Sequence, residues 1–197
     1  MFKLQNLTLL AAAALCFAQP AFSQSNAELV AQAIRPLPDD LKPGATVYRY
    51  DAETGERIVL RQGSNQVECQ PRNDEGFTRC NPRVEGPRRD LRARLAAQGH
   101  SDSDIEAALI EAENAGTIPA RTFGAMNYRL WETEDRIKLL YIISVPNASA
   151  AKLGYPTGGQ RDNSLNGRGT PWMMREGTPG AHLMIPVNGT PLSNQPD

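Results

Sequence analysis

Histidine is almost missing from this chain, with His100 and His182 the only two. No His-x-His pair and no His-Glu-x-x-His helix can be written from them, which argues against a histidine-built zinc or iron centre. The sequence also lacks a Gly-x-Ser-x-Gly elbow, a Gly-x-x-x-x-Gly-Lys loop and a Gly-x-Gly-x-x-Gly turn after a strand. Those absences remove the signatures of serine hydrolases and of nucleotide and dinucleotide binding. Charge of one sign is missing too: 21 basic residues face 22 acidic ones, for a formal net charge of −1. Such a balance leaves no electrostatic footprint for nucleic acid or for an anionic membrane surface. After the N-terminal segment no apolar run approaches the roughly 20 residues of a spanning helix. The longest, Leu139 to Val145, is strand-sized and contains Tyr141 and Ser144. The expectation is a protein with no metal, no cofactor, no nucleic-acid partner and no membrane span.

What the chain does have begins at its N-terminus. Lys3 supplies a positive start, an apolar run extends from Leu7 to Ala18, and Ala21-Phe22-Ser23 frames a small-residue cut site. This is the pattern of a cleaved export signal over residues 1–23, with cleavage near Ser23. Cys16 invites a lipid-anchor reading, but Leu15 precedes it and the apolar run continues past it, so the downstream cut is preferred. The expected location is the bacterial periplasm or the external medium. There Cys69 and Cys80 meet an oxidising compartment and form a disulfide. The alternative, a cysteine-ligated metal, fails for want of a nearby histidine.

Residues 24–187 read as one domain, and 188–197 as a flexible tail. Leu29, Val30, Ala33 and Ile34 at helical spacing predict a short helix, with Asn26 as its cap and Pro36 and Pro38 beyond its end. Thr46 to Asp51 and residues 57–61 predict a β-hairpin about Gly55. A short strand to Gln70 follows, and segment 70–82 reads as a loop that the Cys69–Cys80 bridge closes. Residues 87–115 predict an αα-hairpin: Leu91 and Leu95 lie four apart, Gly99 stops the first helix, and Ser101 with Asp104 boxes the start of the second. The first helix is basic and the second acidic, which suits antiparallel pairing. The acidic second helix is a poor reader of DNA.

Thr122 to Trp131 and Arg136 to Val145 predict a strand pair about a polar turn. Leu140 and Ile142 on the second strand's other face mark it as central in the sheet. Residues 154–180, with seven glycines and three prolines, read as a long loop, either functional or disordered. Ala181 to Val187 is the last strand. The fold class is α+β: an antiparallel sheet with the αα-hairpin packed on one side and one disulfide.

One cluster carries candidate chemistry. Trp172 offers an apolar anchor, Arg175 a bidentate anion clamp, and Glu176 with His182 a proton-transfer pair if the turn between them closes. The competing interpretation makes Trp172 core, Arg175 and Glu176 a surface pair, and His182 a satisfied sheet residue.

The order of Arg61-Gln62-Gly63-Ser64-Asn65, Cys69, Cys80 and the ending Gly180-Ala181-His182-Leu183-Met184-Ile185-Pro186 resembles a group of uncharacterised exported bacterial proteins. The resemblance covers roughly residues 45–187. It implies export and a similar fold and transfers no catalytic residue. Three functions compete. The first is a non-catalytic binding domain for a small ligand or an envelope partner, acting through Trp172, Arg175, Glu176 and His182. The second is a small hydrolase or isomerase using His182 with Glu176. The third is a structural or stress-related envelope protein with no discrete site.

Overall fold

A computed structural model describes residues 24–196. The expected export signal and Cys16 within it lie outside the described residues. α1 (Asn26–Ala33) starts one residue earlier than Asn26 would cap it. Ser25 is the cap: its hydroxyl accepts from the Glu28 N–H at 3.3 Å while the Glu28 carboxylate accepts from the Ser25 N–H at 2.8 Å. This reciprocal box satisfies two N–H groups at once, which a lone Asn26 cannot do.

The sheet begins with β1 (Thr46–Tyr50) and β2 (Arg57–Arg61), an antiparallel hairpin. β3 (Val67–Gln70) then joins the other side of β1 and runs parallel to it. The sheet is therefore mixed, not wholly antiparallel as expected, and segment 61–65 explains why. It passes across the start of β1, where the Ser64 and Asn65 N–H groups donate to the Gly44 carbonyl at 2.8 and 2.9 Å. The Arg61 guanidinium donates to the Lys42 carbonyl at 2.7 Å and to that of Ala45 at 2.8 Å. The Asn65 amide reaches the Leu41 carbonyl at 2.8 Å. The Arg-Gln-Gly-Ser-Asn stretch is thus a crossing device that returns the chain to the start of β1.

β4 (Phe77–Pro82) pairs antiparallel with β3 on one side and with β5 (Met126–Trp131) on the other. This corrects the expected 70–82 loop. The proline- and asparagine-rich composition hid a strand that is held by β3 just before it and by β5 far along the chain. Cys80 sits directly opposite Cys69 in register, and the two are bonded. A 3-10 turn (Arg83–Glu85) leads into α2 (Gly86–Ala97), and α3 (Asp102–Asn114) follows with Ser101 accepting from the Asp104 N–H at 3.2 Å. Ile105, Leu109 and Ile118 form the buried centre of this helical pair, with Leu91 and Leu95 against them. Arg88 pairs with Glu113 and Arg92 with Glu106 across the pair.

β6 (Leu139–Ser144) lies between β5 and β8 (His182–Pro186), both antiparallel to it. The expected 154–180 loop is also corrected. α4 (Ala150–Leu153) precedes it, and α5 (Arg161–Leu165) and the edge strand β7 (Trp172–Met174) lie within it. Segments of three to five residues are too short to reveal a period. The sheet order is β2-β1-β3-β4-β5-β6-β8-β7. The chain's end is attached as well: Ser193 and Asn194 are buried, and the Asn194 side-chain oxygen accepts from the Lys138 N–H at 2.7 Å. Among the described residues no helix is long and apolar enough to cross a membrane.

Alternation divides the sheet into two unlike faces. On one, Val47, Cys69, Cys80 and Tyr128 pack with Ala33 and Leu37 of the α1 region. Met173 and Leu183 extend apolar packing toward the far edge with Val145, Ala150 and Ala181. The other face is polar over its middle strands and carries the site.

Two outcomes follow. Replacing both Cys69 and Cys80 by alanine should lower stability by about 3 kcal/mol, the chain-entropy value for a short closed loop, as read by urea unfolding. Gly55→Ala should cost about 1–3 kcal/mol in the same assay. Gly55 has φ +70°, and a Cβ there would stand 2.5 Å from the Ala93 carbonyl oxygen of α2.

Candidate anion-binding site

With Cys80 and Tyr128 turned into the core, their neighbours must turn the other way. Arg79 and Asn81 of β4 and Asn127 and Arg129 of β5 therefore share the opposite face. Arg79 stands directly opposite Arg129 in the ladder. Like charges at such a position repel. Each strand is held by a ladder on both sides, β4 by β3 and β5, and β5 by β4 and β6, which fixes the pair in register.

α2 adds more guanidinium. Arg89 bonds to the Asn81 side-chain oxygen and pairs with Glu85 at 3.0 Å, yet its Nε is buried without a partner. Two contacts from α2 to the first hairpin hold this end of the helix. The Tyr50 hydroxyl donates to the Asp90 carboxylate at 2.8 Å, and Arg57 donates to the same oxygen at 2.9 Å. Arg57 also pairs with Glu68 at 2.7 Å and lies over the Tyr48 ring, 3.8 Å from its centroid. Asp90 thereby joins α2 to β1 and β2 through two polar bonds.

These groups enclose a cavity of about 240 Å3. Arg79, Arg129 and Asn127 line it from β4 and β5; Ile142 and Ser144 from β6; and His182 from β8. Arg88, Arg89 and Arg92 line it from α2, Glu106 from α3, and Arg121 and Arg175 from the segments after α3 and β7. Seven guanidiniums thus face two carboxylates, Glu85 and Glu106. Three of the seven have carboxylate partners: Arg88 with Glu113, Arg89 with Glu85, and Arg92 with Glu106. Among the described residues Arg79, Arg121, Arg129 and Arg175 form no ion pair; Arg79 donates only to the Gln70 side chain.

The electrostatics register this crowding. Burial, and after it the Arg89 guanidinium, pushes Arg79 and Arg129 down to about 10. Both remain cationic at neutral pH. Burial lowers Arg121 as well, with Arg88 adding to the effect and the charges of Glu85, Glu106 and Glu113 opposing it. For His182, burial is the largest cause of a lowered value. The Gly180 carbonyl opposes it, and the charges of Arg129, Arg121 and Arg175 reinforce it.

His182 Nδ1 lies 2.8 Å from the Gly180 carbonyl oxygen. A carbonyl cannot donate, so Nδ1 carries the proton and the neutral ring leaves Nε2 as an acceptor. Protonation would convert Nε2 into a donor and add one more positive charge to the cavity.

Of the four residues expected to form a site, Arg175 and His182 line this cavity together. Trp172, 6% exposed, packs with Leu140 and Ile142 and lines a neighbouring cavity with Trp131, Met174 and Met184. Arg129 borders both spaces. Glu176 lines neither; its carboxylate accepts from the Ala150 N–H at 2.9 Å at the start of α4. Sequence reasoning missed Arg79, Arg121 and Arg129. One signal was available: 17 of the 21 basic residues are arginine, the residue suited to bidentate oxyanion contacts. A second was the Arg-x-Asn and Asn-x-Arg alternation in β4 and β5, which by itself looks like an ordinary solvated strand face.

Compared with known proteins, the chain matches no family model, no curated protein and no solved structure.

The lowered His182 fixes a sign for acid sensitivity. In the unfolded chain His182 takes up a proton near its ordinary value of 6.5, while the folded protein resists protonation to a lower pH. Stability from this group is complete above 6.5 and falls as pH drops from there toward the folded value. His182→Gln should therefore show a smaller loss of urea midpoint between pH 7.5 and 5.0 than the parent protein.

Proposed function

We propose that this protein is a non-catalytic binding protein whose ligand is a small oxyanion, a phosphate or a carboxylate. Arg79, Arg121, Arg129 and Arg175 hold the ligand, and His182 lies beside it. The α2–α3 hairpin serves as the roof over the polar sheet face. The observation that carries this reading is the set of four guanidiniums with no carboxylate partner, turned toward one cavity. Arg79, Arg121 and Arg129 are partly buried while Arg175 is exposed, and clustered cations taken out of water are costly when uncompensated. An oxyanion entering the cavity supplies the missing negative charge and can accept two parallel N–H bonds from one guanidinium.

Binding is favoured over catalysis by the position of Glu176. Its carboxylate is engaged at the start of α4, so the Glu176–His182 proton-transfer pair does not form, and the Nδ1 of His182 faces the Gly180 carbonyl. The N-terminal export pattern and the Cys69–Cys80 disulfide support an exported protein that meets its ligand in the periplasm or outside the cell.

The test uses inorganic phosphate as the probe, with chloride matching the ionic strength. Saturation to about 100 times Kd should stabilise the protein by about 2.7 kcal/mol. For a chain of this size each kcal/mol raises Tm by roughly 2–4 °C. Arg129→Gln and Arg79→Gln should melt at or above the parent's temperature without phosphate and should lose most of the phosphate-induced rise. If both variants melt lower and still respond fully to phosphate, these arginines are structural and the reading fails.

A further inference from the structure

We infer that the bound anion is amphiphilic, its head among the arginines and an apolar arm in a slot beside them; this rests on the anion-binding reading above. The slot is a second cavity, of about 340 Å3, between α3 and the turn at 178–180. Ile110, Glu113 and Asn114 form one wall, with Glu113 paired to Arg88, and Pro179 and Gly180 the other. Its surface is largely apolar, unlike that of the arginine cavity. The two spaces meet along shared residues: Arg88, Glu106, Arg121 and Arg175 line both.

Two of those shared residues, Arg121 and Arg175, are among the guanidiniums without a carboxylate partner. A head held by them would direct its substituent along the slot. Ile110 is 53% exposed on that wall, a large apolar surface left to water on a helix whose other large apolar residues, Ile105 and Leu109, are buried. Covering it with a hydrocarbon arm removes that exposure. The cavity lined by Trp172 is a rival place for the arm. It shares only Arg129 with the arginine cavity, however, and carries Arg136 and Arg161 of its own. The ligand class is a single-chain organic phosphate or carboxylate.

Calorimetric titration of inorganic phosphate, butyl phosphate and hexyl phosphate, with butyrate and hexanoate as the carboxylate arm, tests this. In at least one of the two series, affinity should rise by about fourfold per buried methylene. Ile110→Asn should flatten that rise, and Met174→Asn, in the neighbouring cavity, should leave it intact. Phosphate binding with no dependence on chain length in either series overturns the amphiphile and leaves the anion site standing. A rise abolished by Met174→Asn and kept by Ile110→Asn overturns the slot assignment. If none of the anions binds, the anion-binding reading itself has failed.

Discussion

The register of β4 between β3 and β5 is the constraint on which the other features depend. In that strand Cys80 turns into the apolar core and bonds to Cys69, while its neighbour Arg79 turns to the other face opposite Arg129. A slip of one residue would exchange the two faces along the whole strand. It would bury Arg79 among Val47, Tyr128 and Ala33 and carry Cys80 away from its partner. The disulfide therefore does more than close a loop. It fixes which side chains the middle of the sheet presents to α2, and so it holds the arginine cavity in place from the opposite side.

That cavity concentrates cost. Arg79 and Arg129 face each other across the ladder, Arg89 lies near both, and burial weakens the hydration of each. Polar anchoring elsewhere compensates. Asp90 receives Tyr50 and Arg57, Glu68 receives Arg57, and two ion pairs join α2 to α3. The helical pair also keeps an apolar centre of its own around Ile105 and Leu109, so it does not need to bury an apolar stripe in the sheet. This leaves the contacts of Arg89 with Asn81 and Asn127 free to be polar. A helix pair that depended on the sheet for its core would have required leucine and valine where Arg79 and Arg129 stand.

Much of the fold was legible in local pattern. The first hairpin, the helical pair with its Gly99 stop and Ser101 cap, the interior position of β6 and the disulfide all follow from short-range signals. β4 was not legible, because its strand character comes from partners on both sides and not from its own composition. The parallel β1–β3 pair was hidden in segment 61–65, whose Arg61 and Asn65 look like surface polar residues until their carbonyl partners are known. The site was half legible. Arg175 and His182 stood out by their neighbours in sequence, whereas Arg79, Arg121 and Arg129 come from three separate segments and converge only in space. Glu176 illustrates the opposite error, since closeness in sequence to His182 did not place it in the same cavity.

The sheet's order has one further consequence. Its two outermost strands are β2, which carries Arg57 and Arg61, and β7, which is three residues long. Neither presents a long, flat, uncharged row of free amides for another chain to extend. Both rims therefore disfavour strand addition, and the borders of the sheet guard the folded protein against fibrous self-association.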